Sequence, residues 1–154
     1  MARAFAVIVF LCTSHAAAAG ECGARVERAL MERLTGELQQ GVSGLAAYGE
    51  SLASRPEANS VEHLVQELII LHERIGRVAM LAEIRDAMRH EGERSLVQFK
   101  LSHEASLLKL ISSRARANLS GSLDGRPGIE EGVARLREAL ARVQALFATC
   151  DSPM

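Results

Sequence analysis

Apolar residues recur along this chain at helical spacing, and the cleanest run lies at its C-terminal end. Ile129, Val133, Leu136, Leu140, Val143, Phe147 and Cys150 advance by alternating steps of four and three, an a/d seam over three heptads. Between them stand Glu130, Glu131, Arg135, Arg137, Glu138 and Arg142, which prefer water. The pattern predicts a helix over residues 128–150. Pro127 stands at its entrance, where a missing N–H costs no helical bond.

Three further stripes precede it. Val61, Leu64, Leu68, Leu71, Ile75, Val78 and Ala82, widened by Val65, Ile69 and Leu81, predict a helix over 60–91, with Asn59 and Glu62 as a capping box. After the charged, glycine-bearing HEGER around Gly92, a stripe through Leu96, Val97, Leu101, Leu107, Leu108, Ile111 and Ala115 predicts a helix over 94–119. The polar loop SGSLDGRPG, residues 120–128, closes that stretch.

The first stripe, Cys22, Val26, Leu30, Leu34, Leu38, Val42 and Leu45, predicts a helix over 22–52 that Pro56 prevents from continuing. Gly36, Gly41, Gly44 and Gly49 lie in or beside this face, each costing up to about 1 kcal/mol against alanine. They predict either a kink or fraying after Gly41, or the close approach of another helix. Nowhere do apolar and polar residues alternate as in a strand. The fold class expected is all-α, an antiparallel up-down-up-down four-helix bundle. The competing architecture is one helix running through Gly92, about 85 Å long at 1.5 Å per residue, which would favour an extended coiled coil or a swapped dimer.

The first nineteen residues change the picture of the compartment. Met1, Ala2 and Arg3 form a short basic start, residues 4–12 (AFAVIVFLC) an apolar run, and Ala16 to Ala19 a small-residue site. That order of regions predicts a secretory signal peptide over 1–19, cleaved after Ala19, with residues 20–154 as one helical domain. The apolar run is shorter than the roughly 20 residues a membrane anchor needs. Small residues precede neither Cys12 nor Cys22, so neither resembles a lipoprotein signal.

Cleavage would remove Cys12 and leave Cys22 and Cys150, an even pair in an oxidising compartment and therefore an expected disulfide. It would also remove Arg3 and move the formal charge from −1 to about −2. A balance so near neutrality argues against nucleic acid and against a polybasic membrane binder. Basic residues are nearly all arginine, with only Lys100 and Lys109, and alanine is abundant; both features hint at a GC-rich bacterial source and hence a periplasmic protein. In a eukaryotic source, Asn118 with Ser120 would form a glycosylation sequon.

Candidate chemistry is thin. No C-x-x-C-H occurs, and no glutamate stands three residues before His63, His72, His90 or His103, as di-iron bundles require. His72–Glu73 and His103–Glu104 begin like H-E-x-x-H, but Gly76 and Leu107 take the second histidine's place. With a turn near residue 92, His72 and His103 lie roughly 13 Å apart along the axis, too far to share an ion. Catalytic, cofactor and metal residues are therefore assigned to none.

The function expected is a non-catalytic exported bundle that binds a partner protein or small ligand, as monomer or homodimer, through a helix face or the loops 54–59 and 120–128. One alternative is a metal or haem carrier using His72, His103 or Met31. A second is a small helical enzyme acting on an anionic metabolite through buried arginines, drawn from Arg74, Arg77, Arg85, Arg114 and Arg142.

Overall fold

Four stripes become four helices. In the computed structural model they are α1 (Arg28–Ser51), α2 (Pro56–Ala87), α3 (Glu91–Leu123) and α4 (Glu130–Leu146). The structure describes residues 26–52, 55–123, 125–148 and 150. The expected signal peptide, its cleavage point and Cys22 lie outside the described residues, as do position 54 of the first candidate loop and position 124 of the second.

The helices sit in a ring, with α1 on α2, α2 on α3, α3 on α4 and α4 on α1. Start meets end where α1 packs on α2 and α2 on α3. Arg28, first in α1, pairs with Glu83 late in α2, while Gly49 near the end of α1 faces Val61 near the start of α2. Arg85 late in α2 donates to Gln98 early in α3, and Lys109 of α3 reaches the carbonyl of Ala148 beyond α4. All-α four-helix packing is thus what the chain forms; the seven main stripe residues from Val61 to Ala82 and every seam residue from Val133 to Cys150 are buried, while the widening position Ile69 is exposed.

Helix ends differ from the sequence pattern for local reasons. α2 starts four residues earlier than the capping box proposes. Pro56 takes the first turn with its φ already helical, Arg55 occupies the N-cap position, and no side chain caps it. The break between α2 and α3 falls at residues 88–90, where Met88 turns extended, so a single rod through this region does not form. Gly92 sits inside the first turn of α3 instead of making the break.

α3 runs on to Leu123, which buries one more turn of apolar contact than the polar sequence of the loop predicts. Gly125 and Gly128, at φ of 70° and 88°, then supply the left-handed backbone that reverses the chain. α4 begins only at Glu130, where Glu130 and Glu131 complement the helix dipole and the Glu130 carboxylate accepts from the Gly128 N–H.

Gly41 resolves the open question about α1. The helix is continuous through all four of its glycines. A Cβ added at Gly41 would lie 2.7 Å from Leu136 Cδ1, so this glycine lets α4 press close to α1.

Candidate functional site

α3 carries apolar side chains on two faces. Val97, Leu101, Leu108 and Ala115 point into the bundle core, whereas Leu96, Phe99 and Leu110 are exposed. Its neighbour α2 behaves likewise, with Met80 and Ile84 exposed outside a buried inner stripe. All the exposed large apolar side chains among the described residues (Ile69, Ile70, Met80, Ile84, Leu96, Phe99 and Leu110) belong to these two helices. A helix with one wet face is expected to be polar on it; apolar residues on both faces mark a helix sandwiched between two layers.

Helical spacing gathers most of these residues along one line. On α2, Ile70, Arg77 and Ile84 are seven apart, with Met80 and Leu81 between the last two. On α3, Leu96, His103 and Leu110 are seven apart, with Phe99 and Lys100 between the first two. Where the two rows meet there is a hollow of about 210 Å³ lined by Arg77, Met80, Leu81, Phe99, Lys100, His103 and Glu104. Its floor is aliphatic and aromatic and its rim is basic.

The acid on that rim is already committed. Glu104, 17% exposed, accepts from Arg74 Nη1 at 2.7 Å and has Arg77 Nη1 at 4.0 Å. Arg77 is itself more than half exposed, and Lys100 makes no ion pair or hydrogen bond among the described residues. The centre of the groove therefore presents cationic groups beside an apolar floor. Glu73 lies one turn of α2 beyond Arg77.

The residues singled out from sequence disperse. Met31 is buried in the core, His103 lines the outer groove, and His72 lies on α2 with its Nε2 buried and unpartnered among the described residues. The pairing of Arg74 and Arg77 with Glu104 sets the α2–α3 register, which brings His72 level with residues 106–109 and leaves it three to six residues, roughly 5–9 Å, from His103 along the axis. That is closer than a turn at residue 92 implies, and what separates the two is their placement: the His72 Nε2 is buried whereas His103 lines the outer groove. His63 and His90 are exposed near helix ends. Among the described residues no group of three or more His, Cys, Asp or Glu side chains is placed to hold a metal ion.

The arginines divide among partners across two helix pairs, α2–α3 and α4–α1. Arg114 pairs with Glu67 across α2 and α3, and Arg142 donates to both oxygens of Glu37 across α4 and α1. Arg85, nearly buried at the α2–α3 turn, holds Asp86 and Gln98. Burial pushes the Glu37 carboxyl up, but hydrogen bonds and charge from Arg33 and Arg142 outweigh it and hold the group below its ordinary range. The Arg85 hydrogen bond lowers Asp86 in the same sense.

Sequence reasoning missed the outer groove because Leu96 and Ile69 were assigned to core stripes. The detectable signal was the excess of apolar residues on α3, too many for one face. Compared with known proteins, the chain matches no family, no curated protein and no solved structure.

Proposed function

We propose that this chain is an exported, non-catalytic helical bundle whose task is to bind a partner protein. The observation that carries this reading is the concentration of exposed apolar side chains on the outer α2–α3 face, with a basic-rimmed hollow at its centre. Protein surfaces that expose contiguous apolar area inside a polar rim are characteristically interaction sites. The arginines favour the same reading over anion chemistry, since Arg74, Arg85, Arg114 and Arg142 each have a carboxylate or amide partner within the fold.

The reading includes export to the periplasm after cleavage at Ala19, an up-down-up-down course and a Cys22–Cys150 disulfide. Start-to-end contacts between α1 and α2 and between α2 and α3 support the course. Supporting the disulfide, Cys150 is 2% exposed at the close of the α4 seam, withdrawn from solvent. No helix of the described residues is long and apolar enough to cross a membrane.

Photo-crosslinking tests the binding role. Benzoylphenylalanine placed at position 99, at position 126 in the α3–α4 loop, and at the exposed positions 32 and 134 of α1 and α4 is expected to capture one partner in the native envelope at position 99. Uniform capture at all four positions, or a stoichiometric metal or Soret band in the purified protein, would overturn the reading.

A further inference from the structure

We propose that the outer α2–α3 groove receives an acidic amphipathic helix of the partner protein, which packs as a fifth helix against the bundle. The inference rests on the binding role above and names the chemistry of what binds. From Leu96 to Leu110 the exposed row on α3 spans fourteen residues, about 21 Å, the length over which a four-turn helix presents its i, i+3, i+4 and i+7 anchors. The central hollow of about 210 Å³ is smaller than the roughly 300–1,000 Å³ of a small-molecule pocket. It suits one inserted side chain, a knob entering a hole made by Met80, Leu81 and Phe99.

Charge selects among occupants. Arg77 and Lys100 flank the apolar floor while Glu104 is held by Arg74, so carboxylates beside an apolar ridge complement the rim and ammonium or guanidinium groups do not. A second copy of this chain fits less well, because a twofold axis crossing α3 at the hollow sets Lys100 against its own symmetry mate.

The test uses oxidised protein of residues 20–154 and two synthetic 18-residue helices with the same leucine ridge, one flanked by glutamates and one by lysines. Fluorescence anisotropy in 150 mM salt is expected to show the glutamate peptide binding at least tenfold tighter than the lysine peptide. Phe99→Ser, at a side chain 60% exposed, should weaken binding at least tenfold without altering urea unfolding, and Lys100→Glu should abolish the preference for acid.

Equal binding of both peptides, binding by neither, or indifference to Phe99→Ser would overturn the proposal. A dimer in sedimentation that Phe99→Ser dissolves would assign the face to a second copy instead. Tighter partition onto vesicles with 30% anionic phospholipid than onto the glutamate peptide would assign it to a lipid surface. Capture in the envelope through position 99, with no acidic-peptide binding, would end this assignment while leaving the binding role intact; loss of both removes both.

Discussion

Replacing Gly41 by alanine pits two opposing energies against each other at one position. In an exposed helix interior, glycine to alanine stabilises by roughly 0.5–1 kcal/mol, through propensity and a less free unfolded chain. Gly36 and Gly44, on the same helix with nothing within 4 Å of an added Cβ, should show that gain in full. At Gly41 the new methyl lies 2.7 Å from Leu136 Cδ1 and 3.3 Å from Cδ2 and Cγ. The leucine is 1% exposed, so any shift of its side chain must be taken up by packed neighbours.

Overpacking of this kind costs about 1–3 kcal/mol, which offsets the gain and leaves Gly41→Ala neutral to about 2 kcal/mol less stable. Relative to Gly36→Ala the difference should be about 1–3 kcal/mol, or roughly 3–5 °C in Tm for each kcal/mol in a domain of this size. Urea unfolding followed by helical circular dichroism measures it. Leu136→Ala supplies the control: its own cost of about 2–5 kcal/mol should shrink when Gly41→Ala is present, because the methyl refills part of the cavity. Should Gly41→Ala stabilise as much as Gly36→Ala, with additive effects at Leu136, the close α1–α4 approach is wrong.

Three other outcomes follow from the described contacts. Lys109→Met removes the ammonium that donates to the Ala148 and Cys150 carbonyls, at 2.9 Å and 3.4 Å. It should cost about 1 kcal/mol and speed amide exchange over the last turn of α4, with unchanged exchange there counting against the clamp. Because Glu37 is held below its ordinary range in the folded chain, its stabilising pairing is present above about pH 4.3 and lost as pH falls through the folded value. Glu37→Gln should therefore flatten the acid limb of stability against pH, and an unchanged limb would show that Arg142 contributes nothing through it. If the proposed Cys22–Cys150 pairing holds, mass spectrometry after thiol alkylation should find neither cysteine free in protein purified from the native cell envelope, and reduction should lower Tm; the chain-entropy ceiling for so long a loop is about 5 kcal/mol. Alkylation at Cys150 would refute the pairing.

The α4 seam shows why much of this fold was legible. Its apolar positions repeat without interruption and its charged residues fall outside them, so burial follows from spacing alone, as the zero or near-zero exposure of Leu136, Leu140 and Phe147 records. Leu96 shows where that reasoning stops. It stands beside Val97 in sequence, and periodicity cannot say which of two adjacent apolar residues faces inward; the structure buries Val97 and exposes Leu96. Ile69 was misassigned for the same reason. Met31, one step off the predicted stripe, is in the core because the α1 face is wider than a strict seam.

Local pattern by itself determined the helical class, the number of helices and most inward positions, since amphipathic period, proline and glycine act within a few residues. Which break separates α2 from α3, why Gly41 is a glycine, and that α2 and α3 share a second apolar face with a basic rim were decided by tertiary structure. Those properties depend on the register between helices distant in sequence. That register is set by where large and small side chains interlock and where carboxylates such as Glu104 and Glu37 meet their arginines.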